Sequence, residues 1–295
     1  MNERRGNMDR QKHAGLARVK EAFLYDWQFR AGVIGVVFLL ALVVAAPLLA
    51  SHDPYEFGAD NLVPPGTAGH LLGTNHMGQD AYSMILYGIR TSLQVALISS
   101  LISGVLGVLI GGVAGYLGGK VDLVISELIN AFLMVPTFFL IMLIVALFGN
   151  SITNVMIVIG ITNWPGNAKL MRAQALSLRE RTFVRGAVAM GETRLQILFK
   201  YILPNGLFPV VANTTRGMAG AILTEASLSF LGLGDPNIIS WGQMIYAGKN
   251  YITTGWWVSA FAGAATILTV IIFYLLGDGL NHVLNPKYTF ESGGK

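Results

Sequence analysis

Six apolar stretches, at roughly 33–50, 93–117, 123–147, 152–167, 207–231 and 258–280, dictate the solvent in which this chain can fold. Most approach the ~20 apolar residues that a helix needs to cross a hydrocarbon core about 30 Å thick. Only 12% of residues are charged and 53% are hydrophobic, with mean hydropathy +0.57. Soluble domains carry about twice that charged fraction. The expectation is an all-α integral membrane protein with six transmembrane helices. The fourth stretch is short and ends in Trp164-Pro165-Gly166, which makes its boundary the least defined.

An even number of spans puts both termini on one side, and the charges choose which. With the N-terminus inside, 17 of the 20 Lys and Arg fall in the tail 1–30, at Lys120, in the loop 168–206 and in the C-terminal tail. Arg90 and Lys249 fall outside, and Arg216 lies within the fifth stretch. That is the asymmetry of the positive-inside rule, so both termini are expected in the cytoplasm. The first apolar run exceeds a signal-peptide core and follows about 30 polar residues, so it is read as a retained span. In the tail, Leu16, Val19, Phe23 and Trp27 recur at helical spacing among Lys and Arg, which predicts a helix lying on the inner leaflet. The expected division is a cytoplasmic tail 1–30, a first span with external loop 31–92, a core 93–285 and a cytoplasmic tail 286–295.

Most chemistry-bearing residues fail as catalytic or metal sites. Zero cysteines remove disulfides, thiolate metal sites and cysteine nucleophiles. The external segment 51–90 holds His52, Asp53, His70, His76 and Asp80, but their spacing matches no ligand pattern, and loops use such residues for turns and caps. No metal is expected there. GGVAGYLGGKV glances at a phosphate-binding loop, yet Ala114 stands five residues before Gly119 and Val121 follows Lys120 where Ser or Thr is required. Ser103, Gly107, Gly111, Gly115 and Gly119 form a small-residue stripe that predicts close helix packing.

Charge inside a bilayer is costly, so Arg216 and Glu225 of the fifth stretch stand out as intramembrane polar or translocation-path candidates. Nine positions apart, they point to opposite faces of a straight helix, and Glu127 is one possible partner for Arg216. The loop 232–257 carries Trp241, Tyr246, Tyr251, Trp256 and Trp257, which suits a segment at headgroup level with a short interfacial or re-entrant helix over 240–250.

Between the fourth and fifth stretches lies Phe183–Asn205, FVRGAVAMGETRLQILFKYILPN. Phe183, Ala187, Met190 and Gly191 fall on one helical face, and Leu195, Leu198, Phe199 and Ile202 on another. Gly191 is placed to end the first helix, and Thr193 with Gln196 reads as a capping box that starts the second. Two amphipathic helices hinged at a glycine on a basic membrane loop predict a surface gripped by another protein.

Four ordered blocks then resemble one family. They are LLGTNHMGQDAYSMILYGIRTSL, GGVAGYLGGKVD, ILTEASLSFLGLG with SWGQMI, and LLGDGLNHVLNPK. Together they resemble the "C"-type permease subunits of the dipeptide, oligopeptide and nickel class of ABC importers, over nearly the whole chain. The segment 183–204 resembles that family's EAA loop, the coupling helices that dock on an ATPase. The motif's second alanine falls on Ala187, its glycine on Gly191 and its Leu-Pro on Leu203 and Pro204. Arg185 replaces the glutamate and Gly186 the first alanine, and Glu192 follows the glycine. The resemblance implies a type I importer permease fold in a prokaryotic cytoplasmic membrane. It implies a homologous permease as heterodimer partner, two ATPase subunits that bind ATP and Mg, and an extracytoplasmic solute-binding protein. It implies no cofactor on this chain, no catalysis by it and no nucleic acid. Peptides are the expected cargo, with oligosaccharides or nickel chelates as alternatives. A membrane enzyme is disfavoured because no HExxH or GxSxG pattern occurs, and an ion-driven carrier because no internal repeat is visible.

Overall fold

The computed structural model describes residues 20–284. The tail residues Leu16 and Val19, and the C-terminal tail 286–295, therefore lie outside the described residues. Residues 20–25 are helical up to Asp26. Asp26 caps the first long helix, α1 (Trp27–Leu49), by accepting from the Phe29 N–H, and its other oxygen meets His282 near the end of the last helix.

The remaining elements are α2 (Ala81–Leu117), α3 (Gly119–Met134), α4 (Thr137–Phe148), α5 (Ile152–Thr162), α6 (Trp164–Arg179), α7 (Thr182–Ala189), α8 (Arg194–Ile197), α9 (Leu203–Phe230), α10 (Trp241–Gly248) and α11 (Trp256–Leu284). The described residues form no named strand. A π turn, Leu198–Ile202, joins α8 to α9. Pro204 has no N–H to return to the preceding turn, and the helix widens just before it, with Leu203 N–H reaching back to the Leu198 carbonyl.

Four helical runs are long and apolar enough to cross a bilayer: Trp27–Leu49, Ala81–Leu117, Arg194–Phe230 and Trp256–Leu284. The expected third span is a fifth only if α3 and α4 count as one, for they meet at an 82° bend. Val135 is extended (φ −82°, ψ 127°) because Pro136 bars it from the helical region, so the helix must stop and restart there. The expected fourth span is not one helix. It splits at Asn163 into the 11-residue α5, roughly 16 Å long at ~1.5 Å per residue, and α6, which opens with Pro165 in its first turn.

Glycines set the closest crossings. A β-carbon on Gly32 of α1 would stand 2.5 Å from Leu276 Cα of α11, and one on Gly279 would stand 2.4 Å from Phe29 Cα. The predicted stripe on α2 does the same for α6. Added β-carbons at Gly107, Gly111 and Gly115 would lie 2.3 Å from Asn167 Cβ, 2.2 Å from Ala168 O and 2.4 Å from Arg172 O. Gly119 lies beyond the helix end and meets nothing. Arg172 also grips Asp122 at two points, with Nη2 to Oδ2 at 2.7 Å, fixing α6 to the start of α3.

Candidate functional site

The helix pair α7 and α8 is built from caps outward. Helix α7 ends with Gly191 at φ +82°, and two backbone bonds close the turn: Glu192 N–H to Ala187 O and Gly191 N–H to Val188 O. That is a Schellman ending, which needs a residue free to adopt the left-handed region. Thr193 and Gln196 form the expected reciprocal box, with Thr193 N–H to Gln196 Oε1 at 2.8 Å and Gln196 N–H to Thr193 Oγ1 at 3.3 Å. The second helix is not short. It runs through the π turn into α9, so the surface element and the membrane-crossing helix are one body.

Packing redistributes the apolar residues from the faces read in the sequence. Val184 and Ala187 are buried with Ile197, Leu198, Ile202 and Leu203 against Met171 and Ala175 of α6. Phe183, Met190, Leu195 and Phe199 turn outward instead, with Met190 75% and Leu195 68% exposed. The helices are too short to bury two faces, and α6 offers one surface. What remains is an apolar patch on the polar, water-facing loop. Glu192 accepts from Lys200 Nζ and the Tyr201 hydroxyl, both at 2.8 Å, and the Lys200 and Tyr201 bonds hold its carboxyl below the usual range. Arg185, standing where the family motif has glutamate, donates to Glu180 at 2.6 Å on the surface, while Gly186 and Gly191 face open space. Leu203 and Pro204 begin α9, Leu203 buried and filling the notch above Gly112.

A cavity of about 490 Å³ opens inside the helical bundle, lined from α2, α5, α6, α9 and α11. Hydroxyls and amides dominate it: Ser99, Ser100 and Ser103 face Asn167, Asn213 and Thr224. Asn213 Nδ2 donates to Asn167 Oδ1 at 2.9 Å, and Asn167 Nδ2 donates to Ser103 Oγ at 3.0 Å, a polar relay across three helices. Arg216 lies in the wall and pairs with Asp278 of α11 at 3.3 Å; the expected partner Glu127 takes no part in that pair. Leaving an Arg in lipid costs about 2.5–3.5 kcal/mol on insertion scales. A half-exposed guanidinium and this density of amides are compatible with water or protein, and not with acyl chains.

Glu225 separates from Arg216. It is buried, accepts from Ser229 Oγ at 2.7 Å and Ser240 Oγ at 2.8 Å, and is not among the residues lining the cavity. It ties α9 to the head of α10. The residues missed in the sequence are the serines and asparagines of the cavity and Asp278; their signal was polar side chains interrupting apolar runs.

The segments 51–90 and 232–257 are bound to one another. Trp241 and Trp257 are buried within the protein, donating to the Ile85 and Thr74 carbonyls at 3.1 and 3.0 Å. Trp256 stays 52% exposed. The predicted helix of this loop spans Trp241–Gly248 and continues as a tight turn, Lys249–Tyr251. Tertiary folding brings His52, His70 and Asp80 together, with ligand-capable atoms all within 4.8 Å of one another. Asp80 accepts from His70 Nδ1 at 2.8 Å and caps α2 through the Ser83 N–H at 2.8 Å. Burial pushes its carboxyl up, but the Ser83 and His70 hydrogen bonds outweigh this and hold it below the usual range.

A helical membrane bundle with a polar interior cavity and an exposed apolar patch on its most basic loop has the makings of a transport component. Residues 107–290 match the family of binding-protein-dependent transport system inner membrane components, and the chain belongs to that family. It is thus a multi-pass inner-membrane transport subunit and not an enzyme. The chain is 36% identical over 262 residues to a probable D,D-dipeptide transport system permease protein of Escherichia coli, covering 88% of this chain and 86% of that one. It is 35% identical to a dipeptide transport system permease protein of Alkalihalophilus pseudofirmus, over 91% of this chain and 90% of that one. A di/tripeptide transport system permease of Pseudomonas aeruginosa is also 35% identical, over 86% of this chain and 87% of that one. Among solved structures, an inward-facing MetNI methionine ABC transporter matches with TM-score 0.55 and 19% identity, over 68% of this chain and 96% of that one. At that identity the likeness speaks for the fold alone, which is that of an ABC importer permease.

Proposed function

We propose that this chain is the permease subunit of an ATP-driven peptide importer, with both termini in the cytoplasm. It pairs with a homologous permease, and the cavity bearing Arg216 forms its half of the translocation path. Glu225 serves instead as a structural anchor for the outer loop. Two ATPase subunits bind ATP and Mg and hold the outward apolar patch of α7 and α8, around Arg185, Gly186, Gly191 and Glu192, while the buried Ala187 seats α7 on α6. A solute-binding protein delivers cargo to the mouth formed by segments 51–90 and 232–257.

One observation carries this reading: the docking element Arg194–Ile197 and the cavity-lining helix Leu203–Phe230 are a single continuous helical body. When the ATPases close, that body and α6 move together, because packed interiors shift as units instead of deforming. Leu203 and Pro204 mark where the lever enters the membrane. The relatives' peptide names support the cargo.

The test uses single cysteines at Met190 and Phe199 in a chain that has none of its own. Cross-linking to an ATP-hydrolysing subunit, and protection from impermeant thiol reagents added outside intact cells, is the expected outcome. Labelling from the cell exterior, or cross-links to no such subunit, would refute the proposal. The peptide assignment is checked by the ligand that co-purifies with the cognate binding protein.

A further inference from the structure

Among the described residues that line the intramembrane cavity Arg216 alone is charged, and Asp278 meets it from just outside that lining. It touches Asp278 through a single Nη1–Oδ1 contact of 3.3 Å, with the two side chains 37% and 41% exposed. A pair built only to neutralise charge would be two-pronged with its carboxylate sheltered, like Arg172 with Asp122 in the same molecule, where the aspartate is 17% exposed. This one is loose and open. Its position is nonetheless built: a β-carbon on Gly277 would stand 2.3 Å from Arg216 Cγ, so the glycine makes room for the arginine stem beside Asp278. Tyr274, one turn before Asp278, lines the same cavity.

We infer that Arg216 and Asp278 form a subsite for the two charged ends of a short peptide, the guanidinium taking the terminal carboxylate and the aspartate the terminal ammonium. The inference rests on the cavity being the translocation path for peptides. In the empty state each charge satisfies the other, so neither is stranded in the membrane. A zwitterion offers both partners at once and exchanges for that contact without leaving a net charge behind. The neutral lining supplies what the middle of a peptide needs: Asn163, Asn167 and Asn213 can donate to or accept from a peptide group, and Ser99 and Thr224 have hydroxyls. A volume of about 490 Å³ is in the range of small-molecule sites, ~300–1,000 Å³.

The test places the permease pair and its ATPases in lipid nanodiscs without binding protein and measures equilibrium binding of radiolabelled dialanine. On the wild-type complex, dialanine amide and N-acetyl-dialanine are expected to compete about 10-fold more weakly than dialanine, as loss of a charge-assisted bond requires. Arg216→Gln should weaken dialanine by about 10-fold and erase discrimination against the amide, whereas Arg216→Lys keeps most of both. Asp278→Asn should erase discrimination against the acetylated form alone. No retention of dialanine by the wild type, or equal competition by the amide, overturns the inference without any variant; equal dialanine affinity in Arg216→Gln also overturns it. Asn213→Cys separates this from the path itself. Labelling of that cysteine by an impermeant thiol reagent in the inward-facing complex, with dialanine affinity unchanged in Arg216→Gln, keeps the path and discards the subsite. No labelling discards both.

Discussion

Gly111 lies so close to Ala168 that a β-carbon on the glycine would stand 2.2 Å from the alanine carbonyl oxygen. Gly107 and Gly115 repeat the approach one turn to either side. Helix α6 therefore meets α2 backbone to backbone, while its Met171 and Ala175 share a buried cluster with Val184 and Ala187 of α7. A displacement of α7 would reach the bundle through a contact with almost no compressible side chain in it.

Gly111→Ala is expected to destabilise the protein by about 1–3 kcal/mol through overpacking. Gly263→Ala, where nothing lies within 4 Å, should be neutral or stabilising by up to ~1 kcal/mol. Thermal unfolding of the monodisperse protein in detergent compares the two, and equal melting temperatures would contradict the close approach.

Gly191→Asp should leave the chain in the membrane and uncouple it. Its φ of +82° strains any other L residue by roughly 1–2 kcal/mol, and its open surroundings leave room for the new carboxylate to face the docking partner. Solute-stimulated ATP hydrolysis by the reconstituted mutant complex is the readout; a normal rate rejects the prediction.

Leu195→Asp and Ile197→Asp, two positions apart, should behave oppositely. Leu195 is 68% exposed, so its replacement should shift stability by no more than ~0.5 kcal/mol while reducing ATPase association by about 10-fold or more. Ile197 is 1% exposed, and a carboxylate there should prevent folding. Pull-down of the ATPase alongside expression level distinguishes the two effects.

Asp80→Asn should destabilise the outer segment by about 1–3 kcal/mol and flatten its acid response. The native carboxyl titrates below its unfolded value of 3.8, so its contribution is complete above that value and is lost as pH falls through the lower folded one. Chymotrypsin cleavage at the exposed Tyr55 and Phe57, followed across an acid series, reports it. A wild-type profile that begins to open between pH 7 and 5 and is unchanged in Asp80→Asn would be inconsistent with this assignment.

Glu225→Ala should cost about 1–3 kcal/mol, because Ser229 and Ser240 lose a buried acceptor. Asn213→Ala, in the cavity wall, should alter transport more than melting temperature. Parallel melts and uptake assays on the two variants check the separation.

Local chemistry was readable in one dimension. Gly191 as a helix end, Thr193 with Gln196 as a box and the Gly107–Gly115 stripe as a packing seam all follow from interactions within a few residues or from side-chain size. The faces of α7 and α8 were not. Phe183 and Leu195 share helical spacing with residues that are buried, and only the position of α6 chose Val184, Ala187, Ile197 and Leu198 for the interior. The break at Asn163 was visible as Trp164-Pro165, but not that it divides a span into two helices.

The order of apolar stretches, their charged flanks and the helix caps determined that this chain is a helical membrane protein with a capped helix pair in its most basic loop, since transfer to lipid and capping act on each segment separately. Which polar groups meet inside was left to the tertiary structure. Arg216 finds Asp278 62 residues away, Asn213 finds Asn167 46 residues away, and Trp257 reaches the Thr74 carbonyl across 183. Each pairing depends on the rotation of one helix against another, and that rotation is set by where glycines allow backbones to touch.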